Sequence, residues 1–491
     1  MRRTLLAATA LAVVAPLAAL APSDAAIPIP PLPTDILSTA FIGHAAKAKP
    51  IKPTHNPHNP YLARNGFNSM HNDAYGTNAY RIRGPLGHNL LVNTASYGVS
   101  ECATVAFDSR NQFVGLCGGL QGFTMRLIDP TTLAQKAKLQ TSKRDLTKLS
   151  NPFTDLCGGT YFYLDSHDRA YVLTTDKKVL VVKVGEGTLT LKRTYDLSKA
   201  IKGDDCAIAT MPDWKGRIFF ATQGGTVGIV NRHTGTVKTT TFKGEGIFNS
   251  MSGDESGAVY VVTDHRLYSV AAGRKGRPYV RWSAKYDRGS EQKPGQLSRG
   301  SGTTPTLIGK HLVVIADNAD PRMHVQFYRR NGKHAGRRIC QAAVFTKGKS
   351  DTENSLAAAG HSVIVENNYG YAGLQSTLLG RSTTPGVARV SIHDGRCKVD
   401  WTNKIVAPTS VPKVSLGAGL AYVYAKPPSS NPLVDSWYFS AIDIRTGKTV
   451  WQKLTGNGIQ WNNHYASIYL GPDHAAYIAT IAGLIRFKDG G

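Results

Sequence analysis

The chain has no two adjacent cysteines, no GxxxxGK[ST] phosphate loop, no HExxH and no GxSxG. These absences remove P-loop nucleotide hydrolysis, helical zinc proteases and the nucleophile elbow of α/β-hydrolases as starting points. Acidic residues are scarce, with 33 Asp and Glu against 58 Lys and Arg and a net charge of +25. The basic residues are scattered, with no long basic run and no recognisable nucleic-acid module, so no nucleic-acid partner is expected. The excess charge suits solubility and loose attraction to polyanions, such as a cell-wall polymer or an acidic sugar. After the first 25 residues no apolar run is long enough to span a bilayer. Helical periodicity is also hard to find.

What is present begins with MRRTLLAATALAVVAPLAALAPSDAA. Arg2 and Arg3 form a basic start, Leu5 to Ala21 an apolar stretch, and Ser23-Asp24-Ala25 a small-residue cleavage site. This pattern predicts a secretory signal over 1–25, by the general or the twin-arginine route, and a secreted, monomeric protein without a membrane span after cleavage. Residues 26–66, with IPIPPLP and PTHNPHNP, read as an irregular arm. Prolines at 53, 57 and 60 around His55 and His58 point to an extended segment rather than a metal site.

From residue 67 to 491 one unit recurs: a small apolar strand, a short Gly/Asp turn, a second strand of the type aYVvT, and two further strands. The second strands are QFVGLCGG (112–119), AYVLTT (170–175), RIFFAT (217–222), AVYVVT (258–263), LVVIAD (312–317), SVIVEN (362–367), LAYVYA (420–425) and AAYIAT (475–480). Eight copies spaced by roughly 45–60 residues match the blade length of a β-propeller. The expected fold is therefore all-β, an eight-bladed β-propeller, with a seven-bladed ring as the alternative. The eighth copy lacks an outer strand, and HNLLVNTAS (88–96) is a strand without a blade. An N-terminal strand thus closes the last blade. NRHTGTV (231–237) and DIRTGKTVW (443–451) place Thr-Gly in tight turns between third and fourth strands.

SAIDIRTGKTVWQKLTG (440–456) resembles the repeat of pyrroloquinoline-quinone-type (PQQ-type) propellers, and FNSMSGDESGAVYVVTDHRLYSV (248–270) is similar to gluconolactonase and strictosidine-synthase-like propellers. The whole mature chain resembles exported bacterial propeller proteins termed PQQ-like, for which no reaction is assigned.

Six cysteines in an exported chain point to disulfides. Pairing Phe107 with Gln112 sets Cys102 opposite Cys117, where cross-strand Cβ atoms about 4.5–5.5 Å apart permit a bridge. Cys157 and Cys206 each begin the inner strand of neighbouring blades and are expected to bridge, as are Cys340 and Cys397. Cys340 and Cys397 each precede a fourth strand of successive blades. A cluster of Cys102, Cys157 and Cys206 near the channel mouth, able to hold a metal, is the alternative.

The loops entering the inner strands and leaving the second strands share one face, here called the top. Its loops are long and rich in carboxylates and amides, including Glu101, Asp155, Glu353 and Glu366. Crowded acids raise one another's pKa or need a cation, and oxygen donors suit Ca²⁺ or another hard divalent ion. The leading expectation is an exported, metal-assisted enzyme at the top of the channel, acting on a small molecule or anionic carbohydrate by lactone or ester hydrolysis or sugar-acid elimination. The catalytic candidates are His464, Glu353 and, if the arm folds over the rim, His71. The substrate-binding candidates are Asn367, Asn368, Asp317, Asn318, Asn463 and Lys413. The metal candidates are Glu101, Asn249 and Asn354. The resemblance implies a second reading, a PQQ-type quinoprotein dehydrogenase. Familiar members carry adjacent cysteines beside the cofactor, which this chain lacks. The third is a non-enzymatic scaffold for a cell-wall polymer or a protein.

Overall fold

Alternation of β-branched and aromatic residues with short Gly/Asp turns produces eight antiparallel four-stranded units, arranged as blades around one axis. The computed structural model describes residues 26–144, 156–157 and 160–491. The expected signal over 1–25 and the rim candidate Asp155 lie outside the described residues. Blade 1 runs from the inner strand Ser100–Phe107 through Phe113–Gly119 and Gly122–Ile128 to Gln135–Lys143. The inner strands of blades 2 to 8 are Phe162–Leu164, Ala207–Pro212, Ser252–Gly253, Thr306–Ile308, Ala357–Ala358, Lys413–Ser415 and Ile468–Leu470. Every expected second strand is present within a residue or two of its sequence bounds, and the seven-bladed alternative is excluded.

Leu91–Ser96 pairs antiparallel with Gly483–Lys488, so an N-terminal strand does form the outer edge of blade 8. Adjacent blades then bury their faces against each other. Between blades 8 and 1, Phe107 and Tyr477 approach to 5.5 Å between ring centroids, both fully buried. Each such aromatic contributes about 1.5–3 kcal/mol by leaving water. The Thr-Gly turns form as expected, with Gly235 and Gly447 at φ of 76° and 72°, a conformation that disfavours any side chain.

All three expected disulfides are present: Cys102–Cys117, Cys157–Cys206 and Cys340–Cys397. The cysteine metal cluster is thereby excluded. The register behind the first bridge differs from expectation. Phe107 pairs with Phe113, not Gln112, and a bulge at Ala103 restores Cys102 opposite Cys117. Cys340 and Cys397 lie inside their fourth strands, Arg338–Ala343 and Arg396–Asn403, rather than just before them.

The N-terminal segment does more than form an irregular arm. Pro33–Leu37 is a short 3₁₀ turn, and Phe41–Gly43 adds a strand to the outer edge of blade 7. Further on, residues 67–80 circle the bottom of the channel. Backbone hydrogen bonds join Phe67 to Phe107 of blade 1, Asn68 to Leu164 of blade 2, Ala74 to Gly253 of blade 4, Tyr75 to Leu307 of blade 5, Thr77 to Ala358 of blade 6, and Asn78 to Val414 of blade 7. Blade 3 is reached by Asn59, whose Nδ2 donates to the Pro212 carbonyl at 3.0 Å. The inner strands present unpaired backbone groups to the channel, and this segment satisfies part of the edges of blades 1, 2, 4, 5, 6 and 7. The channel is plugged from below. No helix among the described residues is long and apolar enough to cross a membrane.

Candidate functional site

Above the plug lies a chamber of about 140 Å³, room for on the order of ten waters. Met70 and His71 rise into it from the plug, while Glu101, Glu353, Asn354 and His464 reach it from blades 1, 6 and 8. Five sequence candidates thus meet: Glu101, Glu353, Asn354, His464 and His71. His71 arrives from the bottom of the channel, not over the rim as expected, because the plug threads between the inner strands.

The acids carry the electrostatics of the chamber. Glu353 Oε2 accepts from the Leu297 N–H at 3.0 Å, and its Oε1 is buried without a protein partner. Burial pushes this carboxyl up to about 8, with the Leu297 N–H opposing the shift. Burial also raises Glu101 well above the usual carboxylate range, and its Oε1 likewise has no partner. Behind them, burial and then the charge of Glu353 raise Asp351, both of whose carboxyl oxygens are unpartnered. His464 holds its Nδ1 2.9 Å from the Tyr371 hydroxyl, and its backbone N–H donates to Asn462 Oδ1 at 2.8 Å.

His71 sits in a different electrostatic setting. Its Nδ1 lies 3.1 Å from Asn78 Oδ1 and its Nε2 3.1 Å from Thr304 Oγ1. Burial, reinforced by the Lys413 ammonium, lowers it to about 3, so it is neutral at physiological pH with both ring nitrogens engaged. Lys413 lies beneath the floor. Its Nζ donates to the Met70 carbonyl at 2.6 Å and to Asn78 Oδ1, and burial lowers its pKa well below the usual value.

The remaining candidates are committed to loops. Asn249 donates to the Ser301 carbonyl at 3.0 Å and stands outside the chamber lining, so it does not join Glu101 and Asn354 as a ligand set. Among the described residues no three His, Cys, Asp or Glu side chains gather to hold a metal. Asn367 donates to the Lys349 carbonyl at 3.1 Å, and Asn368 accepts from the Glu353 N–H at 2.7 Å. Asp317 is held by His324 Nδ1 at 3.0 Å and Gln326 Nε2 at 2.7 Å. Asn318 Nδ2 donates to the Glu291 carbonyl at 2.9 Å, and Asn463 Oδ1 accepts from Thr409 Oγ1 at 2.7 Å.

Sequence reasoning missed the aromatic walls. Tyr465 lines the chamber, its hydroxyl donating to the Gly295 carbonyl at 2.9 Å, and it meets Tyr371 edge-on at 5.3 Å. His464 and Tyr465 both have positive φ, of 31° and 69°. The run NNHY flags a turn, but nothing in it says that the turn aims an aromatic ring into the channel. Arg144 is the one Lys or Arg lining the chamber among the described residues.

Comparison with known proteins concerns the fold more than the site. No protein-family model matches the chain. An uncharacterized protein of Archaeoglobus fulgidus is 26% identical over 332 residues, covering 61% of this chain and 64% of that protein. A lanthanide-dependent methanol dehydrogenase of Methylacidiphilum fumariolicum is 43% identical over 51 residues, 10% of this chain and 8% of that one. The aligned part thus spans less than two thirds of either relative. Among solved structures, the quinohemoprotein alcohol dehydrogenase of Comamonas testosteroni superimposes with a TM-score of 0.57 at 12% identity, covering 89% of this chain and 81% of that chain. A europium-containing methanol dehydrogenase gives a TM-score of 0.53 at 13% identity, covering 84% and 88%. At these identities the likeness establishes the fold: an eight-bladed β-propeller similar in architecture to those dehydrogenases.

Proposed function

We propose that the top chamber is the active site of an exported hydrolase or lyase that moves a proton on a small carbonyl compound, a lactone or ester in the first instance. The observation that carries this is the meeting of Glu353 and Glu101, each buried with an unpartnered oxygen, with the His464–Tyr371 pair in one chamber closed from below. A buried, protonated Glu353 is a general acid in waiting, and His464 is a group able to take a proton from water or from the carbon next to a carbonyl. With Glu353 and Glu101 held neutral by burial, Arg144 is the one Lys or Arg of the lining among the described residues, a charge balance that suits a neutral or singly anionic carbonyl compound rather than a polyanion. Three disulfides support export. A resident divalent cation finds too few gathered donors here, so no step is routed through one. The test is hydrolysis of a panel of small lactones and esters by wild type, Glu353→Gln and Glu101→Gln. Loss of a general acid lowers turnover roughly 10²–10⁴-fold. Equal rates in wild type and both variants would overturn the reading.

A second reading, a PQQ-type quinoprotein dehydrogenase, is favoured by the fold likeness and the short stretch shared with a methanol dehydrogenase. The chamber does not fit that cofactor. A planar quinone bearing three carboxylates calls for several cations and a broad slot, whereas the lining offers acids, one arginine and no adjacent cysteines. Tight binding of the quinone to the purified protein would restore this reading.

A further inference from the structure

A second and larger cavity, of about 390 Å³, opens on the bottom face, opposite the chamber. The motif PTHNPHNP builds one wall of it and the plug the other. Pro53, Asn56, Pro57 and His58 line it, while His55 turns away toward Glu255 at 3.6 Å. The prolines hold the arm extended along the rim of this basin.

Its floor is unusual in what it leaves unmet. Asn68 and Asn72 both line the basin and are only 1% and 7% exposed, yet the Oδ1 of each has no hydrogen-bond partner. Asn72 Nδ2 donates to the Ala79 carbonyl at 2.6 Å, which fixes its amide and leaves the oxygen over. A buried amide oxygen without a donor is costly to leave unmet, so a donor from a ligand or water is expected there. Beside them Asp73 accepts from Asn56 Nδ2 at 2.8 Å and from Thr77. Phe67 also lines the basin, stacked on Tyr80 at 5.8 Å, and offers an apolar face. At the edge stand Arg64 and Arg81, both exposed, neither making a side-chain hydrogen bond or ion pair among the described residues.

Unmet acceptors, an aromatic face and two unengaged guanidiniums describe one ligand chemistry. We propose that this basin is a second binding site, for an acidic saccharide of one or two rings. Ring hydroxyls donate to Asn68 Oδ1 and Asn72 Oδ1, a ring face rests against Phe67, and Arg64 and Arg81 take the carboxylate. The site is independent of the chamber and of any reaction there.

The test uses the full mature chain at about 0.15 M salt, where loose attraction between exposed charges is screened. Digalacturonate is compared with lactose, a neutral disaccharide, by calorimetry and amide hydrogen exchange. Digalacturonate should bind at least about tenfold more tightly than lactose and protect amides within residues 53–82. The double variant Arg64→Ala/Arg81→Ala, which alters only exposed side chains, should lose about tenfold in affinity. The proposal is overturned if digalacturonate fails to bind at roughly 10 mM, well above a millimolar Kd. It is equally overturned if lactose binds as well, if the double variant binds unchanged, or if protection falls outside 53–82.

Discussion

Asn354 Nδ2 lies 3.2 Å from Glu366 Oε2, so the two polar ends of the inner hairpin of blade 6 close on each other. The other carboxyl oxygen, Oε1, takes Asn368 Nδ2 at 3.2 Å, and Asn368 Oδ1 takes the Glu353 N–H. Glu366 therefore holds the loop that presents Glu353 to the chamber. Glu366→Gln keeps one acceptor and should cost about 1–2 kcal/mol, whereas Glu366→Ala leaves the buried Asn354 amide unpaired, with Asn368 keeping its bond to the Pro408 carbonyl, and should cost roughly 2–4 kcal/mol. Denaturant unfolding of the two variants checks this order, and an alanine variant as stable as the glutamine one would refute it.

The contribution of the buried acids to stability should fall as pH rises from about 4.5 to 8. Glu353 is held up to about 8 in the fold, above its unfolded value, so over that window the native state binds more protons than the unfolded chain. The stabilising preference for the neutral form is complete below the lower value and is lost as pH passes through the upper one. Glu101, Asp351 and Glu366 shift in the same direction. His71 and Lys413, both lowered by burial, act in the opposite sense, so the readout is the difference between wild type and Glu353→Gln: the Tm of wild type relative to the variant should fall from pH 5 to 8. A difference that stays constant or grows over that range would contradict the raised Glu353.

The Cys340–Cys397 bridge ties the outer strands of blades 5 and 6 across 57 residues. Closing a loop of that length stabilises by about 4 kcal/mol in the chain-entropy account. Cys340→Ala/Cys397→Ala should lower unfolding free energy by up to that amount while leaving turnover intact, because both cysteines lie far from the chamber lining. Loss of activity in a folded double variant would show a link between the rim of the propeller and its centre.

The ring was legible because each blade repeats a local signal. Second strands such as AYVLTT and AAYIAT were found from apolar periodicity alone, and the orphan strand at 88–96 announced how the ring closes. The plug was not legible. Residues 67–80 carry no strand periodicity, and their partners lie in several different blades. The site was half legible for a related reason. Sorting residues by the face of the sheet brought Glu101, Glu353, Asn354 and His464 to one place, but it could not separate amides that serve a ligand from those that serve the backbone. Asn367, Asn368, Asn318 and Asn463 serve the backbone and neighbouring side chains. Tyr371 and Tyr465 were not legible because an aromatic in a loop carries no sequence signal that separates a channel wall from ordinary packing.

The proton on Glu353 is the point on which the account turns. Titration of the side-chain carboxyl carbons by NMR, in ¹³C-glutamate-labelled wild type and Glu353→Gln, reads it directly. The account predicts one resonance, absent from the variant, with a midpoint near 8. A midpoint for that resonance near 4.5, the ordinary glutamate value, would leave the chamber without its acid and contradict the proposed function.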